Sequence, residues 1–155
     1  MRGLDQSITT SLTRSVVLVG PTAPEFEHLL TDDALEFLGA LVRQVRPRLS
    51  ATYGYSDAPT QRAEPAEFKA AARELNRFDP QIEVDGLPVS AGVFDFGLFV
   101  YHNAGRFLPR GSAPYFELPK FESPRDAQAW TDVFVAAQDA LGLPRGSVRA
   151  KVRRA

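Results

Sequence analysis

Residues 93–104, Val-Phe-Asp-Phe-Gly-Leu-Phe-Val-Tyr-His-Asn-Ala, constrain the fold more than any other stretch of this chain. Phe94, Leu98, Tyr101 and Leu108 recur at helical steps, while Phe96, Phe99 and Val100 make a second side of the same helix apolar. A helix that is apolar nearly all round must be buried between layers, so the fold has to supply partners on more than one side of it. Ser90 is placed to cap its start. Pro109, Gly111 and Pro114 are expected to end it.

The flanking segments supply such partners. Val16–Val19 is a four-residue apolar run closed by Gly20-Pro21, which reads as a short strand or a hydrophobic tether. Thr31 caps a helix with Asp32 and Asp33 in its first turn, and Leu35, Leu38, Leu41, Val42 and Val45 form one apolar stripe. Arg43 and Arg46 would then lie in its last turn, with Pro47 forbidding continuation. Residues 48–64 read as a linker or surface loop. A short helix is expected next, with Pro65 near its first turn and Phe68, Ala72 and Leu75 on one side. Ile82, Val84, Leu87 and Val89 flank Asp85-Gly86, the signature of a tight hairpin. Beyond the central helix, Tyr115–Pro119 reads as a strand. Ser123-Pro124-Arg125-Asp126 opens a helix whose stripe is Ala127, Trp130, Phe134, Ala137 and Leu141, and Gly142 closes it. Val148, Ala150 and Val152 alternate with Arg149, Lys151 and Arg153 as a strand. Helix, strand, helix, strand argues for parallel βα units and an α/β fold.

Composition excludes several functions. The 155 residues include no cysteine, which removes disulfides, thiolate metal cages and thiol nucleophiles. A net charge of −1 argues against bulk binding to nucleic acid or acidic lipid. No apolar run approaches the ~20 residues of a membrane span, and no signal peptide is evident, so the cytoplasm is the expected compartment. The Ser/Thr-rich residues 1–14 read as a loose terminus. Arg145, Arg149, Lys151, Arg153 and Arg154 lack the interleaved aromatics of an RNA-binding stripe and read as an unpaired, partly frayed end.

From the hairpin onward the sequence carries a series of words: Val84-Asp85-Gly86-Leu87-Pro88-Val89-Ser90, Phe94-Asp95-Phe96-Gly97-Leu98, His102-Asn103-Ala104, and Arg110-Gly111-Ser112-Ala113-Pro114-Tyr115-Phe116-Glu117-Leu118-Pro119-Lys120-Phe121-Glu122-Ser123. Trp130–Val135 and Leu141–Ser147 continue them. In order and spacing these resemble the malate synthases of the shorter, A-type family, and Leu30–Leu38 is similar to the helical clasp that precedes their barrel. The resemblance implies a partial (β/α)8 TIM-barrel fragment with an N-terminal helical segment. Residues 1–24 would be a loose segment, 25–64 the clasp-like helix and linker, and 65–155 the barrel segment. A complete barrel of this kind needs at least ~200 residues.

The same resemblance implies a reaction, the joining of acetyl-CoA and glyoxylate to give malate and CoA in the glyoxylate cycle. Mg²⁺ holds the glyoxylate, a carboxylate takes the methyl proton, and an arginine stabilises the enolate. The family's Arg-Pro-Arg-Gly-Trp-His word falls on Ala71–Asn76 here. Its first, catalytic-looking arginine becomes Ala71 and its second becomes Arg73, a weak catalytic candidate read as a solvated helix arginine. Where the family continues into a Leu-Ile-Glu-Thr word that binds Mg²⁺, this sequence has Arg153-Arg154-Ala155. No metal ligands and no cofactor-binding residues are therefore expected, and neither Mg²⁺ nor acetyl-CoA is expected to be retained. Lys120 and Glu122 are the other weak catalytic candidates, because they stand where a barrel strand meets its loop; an exposed loop salt bridge is the plainer reading. His28 and His102 are far apart in sequence, and His102 reads as a hydrogen-bonded core-edge histidine. The expectation is a malate-synthase-like protein inactive by itself. The alternative is a non-catalytic remnant or interaction module that associates with itself or with a full-length relative, without nucleic acid or membrane.

Overall fold

The computed structural model describes residues 16–19, 24–54, 61–67, 69–107 and 115–154. The elements, in chain order, are β1 (Val16–Leu18), α1 (Pro24–Glu27), α2 (Asp32–Tyr53), β2 (Gln61–Arg62), β3 (Arg77–Val84), β4 (Leu87–Ser90), α3 (Ala91–His102), β5 (Phe116–Leu118), α4 (Pro124–Leu141) and β6 (Ala150–Val152). None of these helices is long and apolar enough to cross a membrane. The expected loose terminus, residues 1–14, lies outside the described residues.

Helix α3 is the buried centre that its composition demands. Every residue from Ala91 to Val100 is buried. Helix α2 covers one side and helix α4 another. Gly97 permits the approach of α2: a Cβ there would stand 2.4 Å from Leu38 Cδ2. Phe96 stacks on Phe134 of α4 with ring centroids 4.4 Å apart and meets Phe116 of β5 edge-on at 5.2 Å. Ser90 caps α3 by accepting from the Val93 N–H. The helix ends earlier than its prolines suggest. The Asn103 side-chain amide donates to the Phe99 carbonyl at 2.8 Å, and α3 stops at His102 before a 3-10 turn at Ala104–Phe107. Pro109 and its followers lie outside the described residues.

Two small sheets flank the helices. In one, β3 pairs antiparallel with β1 and β4 and parallel with β2. The β3–β4 turn is the expected tight hairpin, with both Asp85 (φ 55°) and Gly86 (φ 80°) left-handed, as a type I′ turn requires. In the other, β5 and β6 are parallel, and Ala71 forms a parallel bridge to Glu117 on the far side of β5. Three neighbouring parallel segments joined through α3 and α4 make two βα units. Among the described residues they form an open arc and not a closed barrel.

Four local expectations are overturned, the first being the linker or surface loop at 48–64: residues 48–53 continue α2, and Gln61–Arg62 form β2 on β3. Helix α2 does not stop at Pro47 but runs to Tyr53, where Gly54 at φ 79° closes it. Leu49 is buried on the same stripe as Val45, and that burial carries the helix past the proline. Arg43 and Arg46 therefore lie mid-helix and grip the hairpin. Arg43 pairs with Asp85 at 2.8 Å, and Arg46 donates to the carbonyls of Val84, Leu87 and Pro88. The helix expected around Phe68, Ala72 and Leu75 is absent among the described residues, which exclude Phe68; pairing with β5 takes the backbone there, through Ala72 N–H to Glu117 O and Glu117 N–H to Ala70 O. The end is also not an unpaired, frayed one. Arg145 pairs with Asp139, Arg153 pairs with Glu117, both at 2.8 Å, and Arg149 lies over the Tyr115 ring at 5.0 Å.

Candidate functional site

The parallel segments all point their C-terminal ends the same way, which is the end where α/β sheets carry their chemistry. Arg73 follows the first segment, Lys120 and Glu122 follow β5, and Arg153 follows β6. Two shallow cavities open there. One, of about 160 Å³, is bordered by Glu74, Pro119, Lys120, Glu122, Arg125 and Trp130. The other, of about 260 Å³, is bordered by Lys69, Ala71, Arg73, Glu74, Pro119 and Arg153. Glu74 and Pro119 border both, so Arg73 and Lys120 belong to adjoining hollows and not to one site. Lys120 and Glu122 are exposed. Behind them the Asp126 carboxylate accepts from the Glu122 and Ser123 N–H groups and from Tyr53 Oη at 2.6 Å, so it closes the start of α4 and ties it to α2.

Arg73 is the organised centre of this end, and the expectation of a solvated helix arginine is wrong. Its side chain is 13% exposed, and it lies between two buried carboxylates, Asp79 (2%) and Asp95 (7%). Nε donates to Asp95 Oδ2 at 2.9 Å. Nη2 donates to both Asp95 Oδ1 at 3.0 Å and Asp79 Oδ2 at 2.8 Å. Nη1 donates to the Glu64 carbonyl at 2.7 Å, and the Arg73 backbone N–H also donates to Asp95 Oδ2. The Phe94 ring lies 5.9 Å from the guanidinium carbon. Burial works against the charge on Arg73, but the hydrogen bonds and attraction of Asp95 and then Asp79 outweigh it and hold the guanidinium above its ordinary range. Burial likewise pushes the Asp95 carboxyl up, against the pull of its hydrogen bonds from Arg73.

The rest of the segment is stitched to the start of α3. Gly92 N–H donates to the Glu74 carbonyl, and Ser90 Oγ donates to the Leu75 carbonyl at 2.8 Å. Gly92 is required here, because a Cβ would come within 2.7 Å of the Arg73 carbonyl oxygen. Asp79 and Asp95 are the residues that sequence reasoning missed. The available signal was Asp95 itself, a carboxylate in the middle of an otherwise apolar helix, which needs a buried cation.

The arrangement does not fit the Mg²⁺ that the resemblance implies. Among the described residues no group of three or more histidine, aspartate or glutamate side chains converges as a metal site. The two carboxylates that do converge are already occupied by one guanidinium, whereas Mg²⁺ needs open oxygens in octahedral array. His102 Nε2 is 2.8 Å from the Leu29 carbonyl, at the exposed end of α3, two turns beyond Asp95.

The malate synthase TIM barrel domain family matches residues 75–154. Among curated proteins, a malate synthase of Myxococcus xanthus is 54% identical over 71 residues, covering 46% of this chain and 13% of that protein. Malate synthase A of Escherichia coli is 30% identical over 130 residues, covering 81% of this chain and 24% of that protein. A glyoxysomal malate synthase of Candida tropicalis is 45% identical over 74 residues, covering 48% of this chain and 13% of that protein. The chain thus spans a quarter or less of the length of these relatives. The family match covers the hairpin, α3, α4 and the parallel pair β5–β6, and on that evidence the chain belongs to the malate synthase family.

Proposed function

We propose that this chain is a partial malate-synthase-type (β/α)8 barrel segment whose arginine word serves as a structural brace and not as an enolate-stabilising electrophile. The single observation that carries this reading is the engagement of four of the five side-chain N–H donors of Arg73 within the protein. An arginine that stabilises an enolate must present N–H groups to the substrate. Here Nε, Nη1 and Nη2 of Arg73 are spent on Asp95, Asp79 and the Glu64 carbonyl. The position that the resemblance gives to the other arginine of the word is Ala71, which has no donor to offer. Lys120 and Glu122 border one hollow and Arg73 borders the other, so these candidates do not share one site.

Under this reading the chain by itself does not condense glyoxylate with acetyl-CoA. The test is release of free CoA from acetyl-CoA, followed with a thiol reagent, in the presence of glyoxylate and Mg²⁺ and on protein shown to be folded by circular dichroism. No release above the glyoxylate-free control is expected. Release that requires both glyoxylate and Mg²⁺, and that is lost on Lys120→Ala, would overturn the proposal and make Lys120 a working residue.

A further inference from the structure

We infer that the Arg73 guanidinium takes the place of a metal ion at this end of the arc: it is the built-in cation that gathers Asp79 and Asp95, and it excludes a divalent one. The geometry accounts for every carboxylate oxygen. Asp95 Oδ1 accepts from Nη2, and Asp95 Oδ2 accepts from both Nε and the Arg73 backbone N–H. Asp79 Oδ2 accepts from Nη2, and Asp79 Oδ1 accepts from the Gln81 N–H at 2.7 Å. One nitrogen, Nη2, touches both carboxylates, so their oxygens converge on a single point as they would around an ion.

The two carboxylates come from different elements. Asp79 lies in β3 and Asp95 in α3, while Arg73 belongs to the irregular stretch between the Ala71 bridge and β3. A cation at that point therefore joins hairpin, helix and barrel arc at once. Two buried carboxylates without a cation repel each other and are poorly solvated. Removal of Arg73 leaves a pair of convergent anionic oxygens with exposure to the larger cavity, which Arg73 itself borders. That is a donor set a hard divalent ion with retained waters can use.

The experiment is a Mn²⁺ titration read by electron paramagnetic resonance, with thermal melts in EDTA and in millimolar Mg²⁺, on the whole chain and on two variants. The unmodified chain should leave the free Mn²⁺ signal intact and melt at the same temperature in EDTA and in Mg²⁺. Arg73→Ala should melt lower in EDTA, bind one Mn²⁺ per chain and recover several degrees of melting temperature on adding it. Arg73→Lys retains a charge at the same place and should remain folded without binding Mn²⁺. The inference is overturned if the unmodified chain binds Mn²⁺ in a manner abolished by Asp95→Asn. It is also overturned if folded Arg73→Ala does not respond to Mn²⁺, or if Arg73→Lys binds Mn²⁺. Should Arg73→Ala not fold in EDTA, failure to refold it with Mn²⁺ present counts against the inference in the same way.

Discussion

Replacing Asp95 by leucine tests the energetic weight of the brace. Leucine suits the helix and has the branched shape of aspartate, so the change removes the carboxylate and sets methyl groups against the Arg73 guanidinium. What is lost is three hydrogen bonds to Arg73, from N, Nε and Nη2, at 2.8–3.0 Å. Removing one partner of a buried ion pair costs about 3–5 kcal/mol, because the other charge is left uncompensated. Arg73 is only 13% exposed, so solvent screens little of this. It keeps Asp79 and the Glu64 carbonyl, which places the cost near the lower end, at about 3 kcal/mol. For a chain of this size that lowers the melting temperature by about 6–12 °C. In urea it moves the midpoint down by about 1–2 M with an unchanged slope. The control is Asp139→Ala, which removes an exposed pair with Arg145 and should leave the melting temperature close to that of the unmodified chain. An Asp95→Leu protein that melts with the unmodified chain, or above it, would refute the claim that this ion pair braces the arc.

Three further outcomes are expected. Gly92→Ala drives a Cβ to 2.7 Å from the Arg73 carbonyl and 3.1 Å from Trp130 Cη2, and should cost about 1–3 kcal/mol in urea unfolding; a neutral result would mean that the 73–75 backbone yields freely. Pro47→Ala restores an N–H for the Arg43 carbonyl on the exposed side of α2 and should stabilise by about 1–2 kcal/mol, read as a higher thermal midpoint, whereas a loss would mean that α2 requires its proline. The Arg153 hydrogen bond holds the Glu117 carboxyl below its ordinary value of 4.5. A carboxyl lowered in the folded state adds stability that is present above its unfolded range and is lost as pH falls through the folded value. The Arg153 Nε–H resonance should therefore show an acid inflection below 4.5 that Glu117→Gln abolishes, and an inflection at or above 4.5 would refute the pairing.

The helices and the hairpin were legible because their signals are local. Thr31, Ser90, Asp85-Gly86, Pro124 and Gly142 all act within a few residues, through caps, a helix-starting proline and left-handed backbone, and each does in the structure what its chemistry predicts. The misreadings share a different cause. Pro47 is overridden by the burial of Leu49, a tertiary effect that no local rule contains. The 65–75 stretch has a helical spacing of Phe68, Ala72 and Leu75, but its backbone partners are on Glu117, about 45 residues away. The surroundings of Arg73 are not local either: its two carboxylates are supplied by β3 and α3.

That distribution explains why a charged cluster is placed where it is. Strands of three residues, such as β5 and β6, offer few ladder hydrogen bonds, and the first parallel segment is held to β5 by two. Segments that short are not held by backbone pairing alone. The apolar core gives the 63–76 stretch little hold either, since among its described residues the buried apolar ones are Ala63, Ala72 and Leu75, two of them alanines. Arg73 supplies what both lack, because a guanidinium can reach a strand, a helix and a backbone carbonyl at once in fixed directions. The brace is thus the physical condition for keeping the first strand of the arc in register with β5, and the same engagement is what withdraws Arg73 from chemistry.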